Sequence, residues 1–186
     1  MESSFLPWIL AAVLLFWVVG AYNRLVRLRS EANSAFATLE GELAKQVQLV
    51  HACIPPEEEQ QASSFQGGSQ FWGGLQGAAA QLAASLQAAR ARPLDPERIA
   101  ALGSAQDVLA MAWERAERDD AHDLAGPRLP ENLSTDRAHM VHVGQQATEN
   151  FNQAVTRYNA AIRQFPAVLL AWLFGFHPGR GLRART

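Results

Sequence analysis

Between Ser3 and Asn23 the chain carries no charged side chain, and Phe5 to Val19 is almost wholly apolar. Arg24, Arg27 and Arg29 then fall within six positions. At about 1.5 Å of rise per residue, roughly twenty helical residues match a hydrocarbon core about 30 Å thick. The ten Leu, Ile, Val and Phe residues of Phe5–Val19 each favour insertion by roughly 0.3–0.6 kcal/mol, about 3–6 kcal/mol together. Pro7 sits in the first turn, where its missing N–H costs little. These features predict a transmembrane anchor over residues 1–22.

A cleaved secretory signal is the competing reading, and Val19-Gly20-Ala21 offers it a weak cleavage site. Against it, the segment before the apolar run is Met-Glu-Ser-Ser, with an acid where a signal peptide carries Lys or Arg. The run is also longer than a usual signal core, and Trp8 and Trp17 stand near its two ends as interfacial anchors.

Flanking charge sets the expected orientation. Three arginines come after the run and only Glu2 precedes it, so the N-terminus is expected outside and the remaining chain in the cytoplasm of a single-pass cell-membrane protein. Residues 177–186 form a basic tail in which Arg180, Arg183 and Arg185 are expected to be drawn to an anionic leaflet, at about 1 kcal/mol per charge near the surface.

With 186 residues, the chain beyond the anchor suffices for one hydrophobic core. A net charge of −2 with no basic face outside the membrane-proximal arginines argues against nucleic acid as a partner. The single cysteine, Cys53, excludes an internal disulfide and suits a reducing compartment.

Beyond the anchor the chain reads as helix throughout. Leu25, Leu28, Ala32, Ala35 with Phe36, Leu39, Leu43, Val47 and Val50 recur three or four apart, the period of one helical face. No proline lies between Trp8 and Ile54, so anchor and first soluble helix can form one rod, which Pro55-Pro56 ends. Residues 55–70 and 119–131 read as linkers. A second helix spans about Gln70–Arg92, with Leu75, Ala79, Leu82, Leu86 and Ala89 on one face. Asp95 caps a third with Pro96 at its first position, and Ile99, Leu102, Gln106, Leu109, Trp113 and Ala116 form its stripe. In the fourth, Met140, Gly144, Ala147, Phe151, Ala154, Tyr158, Ala161 and Phe165 alternate four and three apart, a coiled-coil seam. No useful stretch has period two. The fold expected is all-α: an N-terminal transmembrane helix continuing into an antiparallel bundle of about four helices over 23–176.

Gly20-Ala-Tyr-Asn-Arg-Leu-Val-Arg-Leu-Arg29 after an anchor resembles the entry into the soluble domain of LemA-family proteins. The run from Glu149 to Pro166, then Leu173-Phe-Gly-Phe-His-Pro178, resembles that family's C-terminal signature, a Tyr-Asn-x-x-Val-x-x-Tyr-Asn helix leading into Phe-Pro and Phe-Gly-Phe. The matching positions are Tyr22, Asn23, Tyr158, Asn159, Phe165, Pro166, Phe174, Gly175 and Phe176, with Phe151-Asn152 in place of the first Tyr-Asn pair. The stretches cover about a third of the chain; residues 56–130 show no match, and the family's Ile-Pro-Asn-Leu-Val turn is absent after Ile54-Pro55. The resemblance is to a divergent member and implies an N-terminally anchored antiparallel helical bundle without established enzymatic activity.

No catalytic constellation stands out. His51 and Cys53 lie two apart, on different faces of one helix, and read as an exposed imidazole and a small buried thiol. His139 and His142 share a face but lack the further ligands of a metal site. Glu57-Glu58-Glu59 reads as a solvated loop, and Gly67-Gly68 and Gly73-Gly74 as flexible joints lacking the Lys-Ser/Thr of a phosphate loop. No cofactor or metal is expected, and the protein is not expected to be an enzyme.

Tyr158 lies on the seam, which predicts core packing with its hydroxyl bonded at the edge. A sharper account pairs Tyr22-Asn23 with Tyr158-Asn159 as related devices near the membrane, their amides serving backbone groups at the Phe165-Pro166 break. The apolar run Phe165–Phe176 is too short to span a bilayer. It is either a core-capping end or an interfacial segment, and an antiparallel arrangement favours the second, with Trp172, Phe174 and Phe176 joining Trp17 and the arginines at the interface.

The function expected is a membrane-anchored helical scaffold or interaction protein. The alternative is an accessory regulatory subunit of a membrane protease, transporter or signalling complex. Expected partners are the lipid bilayer and a further protein, an integral membrane one among the candidates, with self-association open.

Overall fold

The computed structural model describes residues 5–55, 68–121, 129–130 and 132–183. Among these there are five helices and no strand: α1 (Phe5–Cys53), α2 (Gly68–Ala91), α3 (Pro96–Ala121), α4 (Leu133–Arg163) and α5 (Ala167–Phe174).

At 49 residues, α1 is about 74 Å long. It is unbroken because no proline lies beyond its first turn, and Gly20 and Gly41 each cost only about 1 kcal/mol of helix propensity. Its surroundings change partway along. From Phe5 to Arg24 the described side chains are exposed, apart from half-buried Val18 and Ala21. From Leu25 onward, Leu28, Ala32, Phe36, Leu39, Leu43, Val47 and Val50 are buried at helical spacing. Among the described residues one helix is long and apolar enough to cross a membrane, and it is this one.

The buried face of α1 meets the seam of α4, and the two run antiparallel. Arg24 reaches Gln164, Glu31 faces Arg157, Phe36 packs edge-on against Phe151 at 5.6 Å, and Gln46 lies against Gly144. Each step up α1 is matched by a step down α4, so the register holds over the interface. α2 packs on α1 and on α3, with Ala78, Ala79 and Ala89 buried and permitting close approach. Asp95 caps α3 as expected: its Oδ1 accepts from the backbone N–H of Glu97 at 3.0 Å and of Arg98 at 3.3 Å.

Several boundaries differ from expectation. α2 begins at Gly68 and ends at Ala91, while α3 runs on to Ala121, so both ends of α2 shift and the second linker starts later. The remainder of the two linkers falls mainly outside the described residues. Phe165 leaves the seam and is 72% exposed. α4 stops at Arg163 because Pro166 disfavours helical geometry before it and cannot donate to the last turn. The run after it forms α5, an additional short helix.

α3 and α4 do not approach backbone to backbone. The gap between them is taken by residues 176–183, an extended strap whose Leu182 is buried in the core. Beyond its end, Arg137 of α4 bridges to Glu117 and lies over the Trp113 ring of α3.

Candidate functional site

The family-like residues gather at one end of the molecule, where α1 emerges. α5 lies against α1 and α4 through Ala167, Leu170 and Ala171, which join Leu25, Leu28, Tyr158, Ala161 and Ile162 in a second apolar cluster. Its other face is bare: Leu169, Trp172, Leu173 and Phe174 are exposed, Trp172 at 85%. Phe165 packs on Trp17, with ring centres 5.5 Å apart. The exposed aromatic surface of α5 is thus laterally continuous with the exposed segment of α1.

Gly175 makes the turn that closes this collar. Its φ of +67° is the left-handed conformation that glycine adopts without steric cost, and the Phe176 N–H beyond it bonds the Ala171 carbonyl at 2.8 Å. The turn throws Phe174 and Phe176 to the same neighbour, Tyr22, with ring centres at 5.1 and 6.1 Å. Arg29 covers Phe176 at 5.8 Å. Phe-Gly-Phe is therefore a clamp on the tyrosine of α1. Gly175→Ala should destabilise it by about 1–2 kcal/mol, read as faster hydrogen exchange of the Phe176 amide. Gly41→Ala, in open space at mid-helix, should leave that amide unchanged.

From Phe176 the strap descends along α4, held by two carboxamides. Asn159 donates to the Gly179 carbonyl at 2.8 Å and accepts from its N–H at 2.9 Å. Asn152 does the same with Leu182, both bonds at 2.7 Å. Seven helical residues rise about 10.5 Å, and three extended residues reach about 10 Å. A heptad on α4 thus matches a triplet on the strap, and each asparagine offers its strap residue the donor–acceptor pair that a neighbouring β-strand would present. Tyr158, fully in the core, donates its hydroxyl to the His177 carbonyl at 3.1 Å. Burial pushes its phenol pKa up and so favours the neutral donor, an effect that the charge of Arg29 partly offsets.

The expected interface residues divide. Trp17, Arg24, Arg27 and Arg29 lie beside the collar, Arg24 bonded to Gln164 at 3.3 Å and Arg27 near Glu31 at 3.6 Å. Phe174 and Trp172 are exposed there, whereas Phe176 is half-buried. The tail is not a free basic extension over its described part. The strap carries Arg180 and Arg183 away from the collar, and Arg183 borders a cleft shared with Gln46 and Gly144. Leu182, one residue before Arg183, bonds Asn152, whose neighbour Phe151 meets Phe36 about 18 Å along α1 from Arg24, about two screening lengths at physiological salt. Arg185 lies outside the described residues.

Asn159 does serve backbone groups, but at Gly179 rather than at the Phe165–Pro166 break. Asn23 is exposed and sits apart from the clasp. Asn152, to which sequence reasoning gives no role, is the second half of it. Its signal in the chain is two asparagines seven apart, each just after a seam aromatic. His51, His139 and His142 are exposed, and no cluster of three or more His, Cys, Asp or Glu suited to a metal occurs among the described residues. Burial, and secondarily the charge of Asp136, pushes the Cys53 thiol up, away from the reactive thiolate form. Comparison with protein-family models, curated proteins and solved structures finds no match for this chain.

Proposed function

We propose that this protein is a single-pass, membrane-anchored helical scaffold of the LemA type, its bundle facing the cytoplasm and its collar resting on the inner leaflet. The observation that carries this reading is the change of surroundings along one unbroken helix: α1 is uncharged and largely exposed up to Asn23, touched by the collar near residues 17–22, and threaded through the core from Leu25. A run of exposed Leu, Ile, Val, Phe and Trp that long is costly in water and matched to a bilayer. The bare face of α5 stands at the same end, and its Trp172 and Phe174 suit the headgroup boundary where aromatic side chains settle.

The arginines that hold this boundary are Arg24, Arg27 and Arg29. Arg180 and Arg183 are left out of it, because the strap takes them down the bundle. The LemA assignment draws on a different point: most of the residues that resemble its signature meet at one end of the bundle, with Tyr22 clamped by Phe174 and Phe176 and the strap latched by Tyr158 and Asn159.

Reporter fusions test the topology. Alkaline phosphatase fused after Thr186 should be inactive and a fluorescent protein at the same place bright. High phosphatase activity would reverse the orientation and restore the cleaved-signal reading. Vesicle binding by a chain lacking residues 1–22 should depend on Trp172 and hardly on Arg183.

A further inference from the structure

An open cleft of about 560 Å³ runs between α1 and the corner joining α4 to α5. Val13, Trp17, Gly20 and Arg24 border it along α1, and Gln164 and Phe165 across from them. Val13 to Arg24 is about 16 Å of helix rise, close to half of a hydrocarbon core about 30 Å thick. The cleft is therefore as deep as one leaflet. Its wall is apolar along that depth and ends in a cation, Arg24. Among the described residues that guanidinium is bonded to Gln164 alone, and it carries five N–H donors. Arg24 is the one charged residue among the described ones that border the cleft, so its rim is net positive.

We propose that this cleft is a phospholipid site. One acyl chain lies in the channel over Gly20, flanked by the Trp17–Phe165 pair, and the headgroup phosphate accepts from Arg24 beside Gln164. The positive rim selects an anionic headgroup over a zwitterionic one. The site rests on the anchored reading, since only an inserted α1 puts Val13 at acyl-chain depth and Arg24 at the phosphates.

Gly20 allows a direct test. A Cβ built there meets nothing within 4 Å, so a side chain can start at this position and Gly20→Phe puts a ring into the channel. Gly41→Phe, also into open space on the same helix, is the control. The full chain is purified in mild detergent doped with equal phosphatidylglycerol and phosphatidylcholine, and native mass spectrometry reads the lipid retained. Wild type and Gly41→Phe should each keep one phospholipid, chiefly phosphatidylglycerol. Gly20→Phe should lose it. Arg24→Gln should reduce the phosphatidylglycerol preference roughly tenfold, the effect of one charge-assisted hydrogen bond. Equal lipid retention by Gly20→Phe and wild type, or no retention by wild type, would overturn the site. Carbonate extraction of the same proteins from membranes separates the two readings: a chain that resists extraction but shows no Gly20-dependent lipid refutes the site alone, and one that is extracted refutes the anchor and the site with it.

Discussion

Replacing Phe151 with alanine should cost the folded chain about 3–5 kcal/mol. The ring is fully buried, at 0% exposure, and packs edge-on against Phe36 midway along the α1–α4 interface. The two helices share one register there, so neither can slide to fill the cavity without breaking the pairing of the other seam residues. The loss is therefore expected near the full transfer-plus-cavity value. Buried Trp72 and Trp113 report unfolding by fluorescence, and urea titration of the full chain in mild detergent gives the midpoint. Gln153, two residues on, is exposed and bonded to Glu149; Gln153→Ala should change stability by no more than about 0.5 kcal/mol. Equal shifts for the two variants would mean that the seam is misplaced.

The second large effect is on the strap and is local. Asn152→Ala removes both bonds to Leu182 and leaves a partly buried N–H and carbonyl without partners, at about 1.5–3 kcal/mol for the two groups together because neither is fully cut off from water. Asn159→Ala does the same at Gly179. The strap is held along α4 by these side-chain bonds rather than by helix packing, so this cost is expressed as opening of residues 177–183 while the helices stay packed. Hydrogen exchange of the Gly179 and Leu182 amides should accelerate by about 10- to 100-fold in each single variant, each factor of ten corresponding to about 1.4 kcal/mol. Gly181→Ala should act in the same direction, because its Cβ would stand 2.6 Å from Asn152 Oδ1 and push the carboxamide off Leu182. Asn23→Ala, on an exposed side chain outside the clasp, is the control. Strap protection unchanged in Asn152→Ala would show that Leu182, buried at the far end, holds the segment by itself.

The helices were legible because their causes are local. The spacing of Leu25 to Val50, the seam from Gly144 to Ala161, the Asp95-Pro96 start of α3 and the prolines after Ile54 act over one or two turns, within a stretch of consecutive residues. The antiparallel meeting of α1 and α4 comes from the same stripes, since each apolar face has to find another.

The collar and the strap have no such local cause. Phe165 continued the seam by count, but one proline ended the helix first. Asn152 reads as a polar position beside a core seam and Asn159 as serving the Phe165–Pro166 break; their shared purpose exists only because a segment 20 to 30 residues later runs back along them with a triplet for every heptad. The arginines of the tail come after an apolar run in sequence, so they read as membrane-proximal, yet the extended strap spends its length moving down the bundle and takes Arg180 and Arg183 with it. Sequence by itself determined the helices and their buried faces, through propensity and period. Tertiary structure decided which side chains meet across the gap between α3 and α4 and how far each charge lies from the apolar end, because those depend on distances in space that no spacing along the chain encodes.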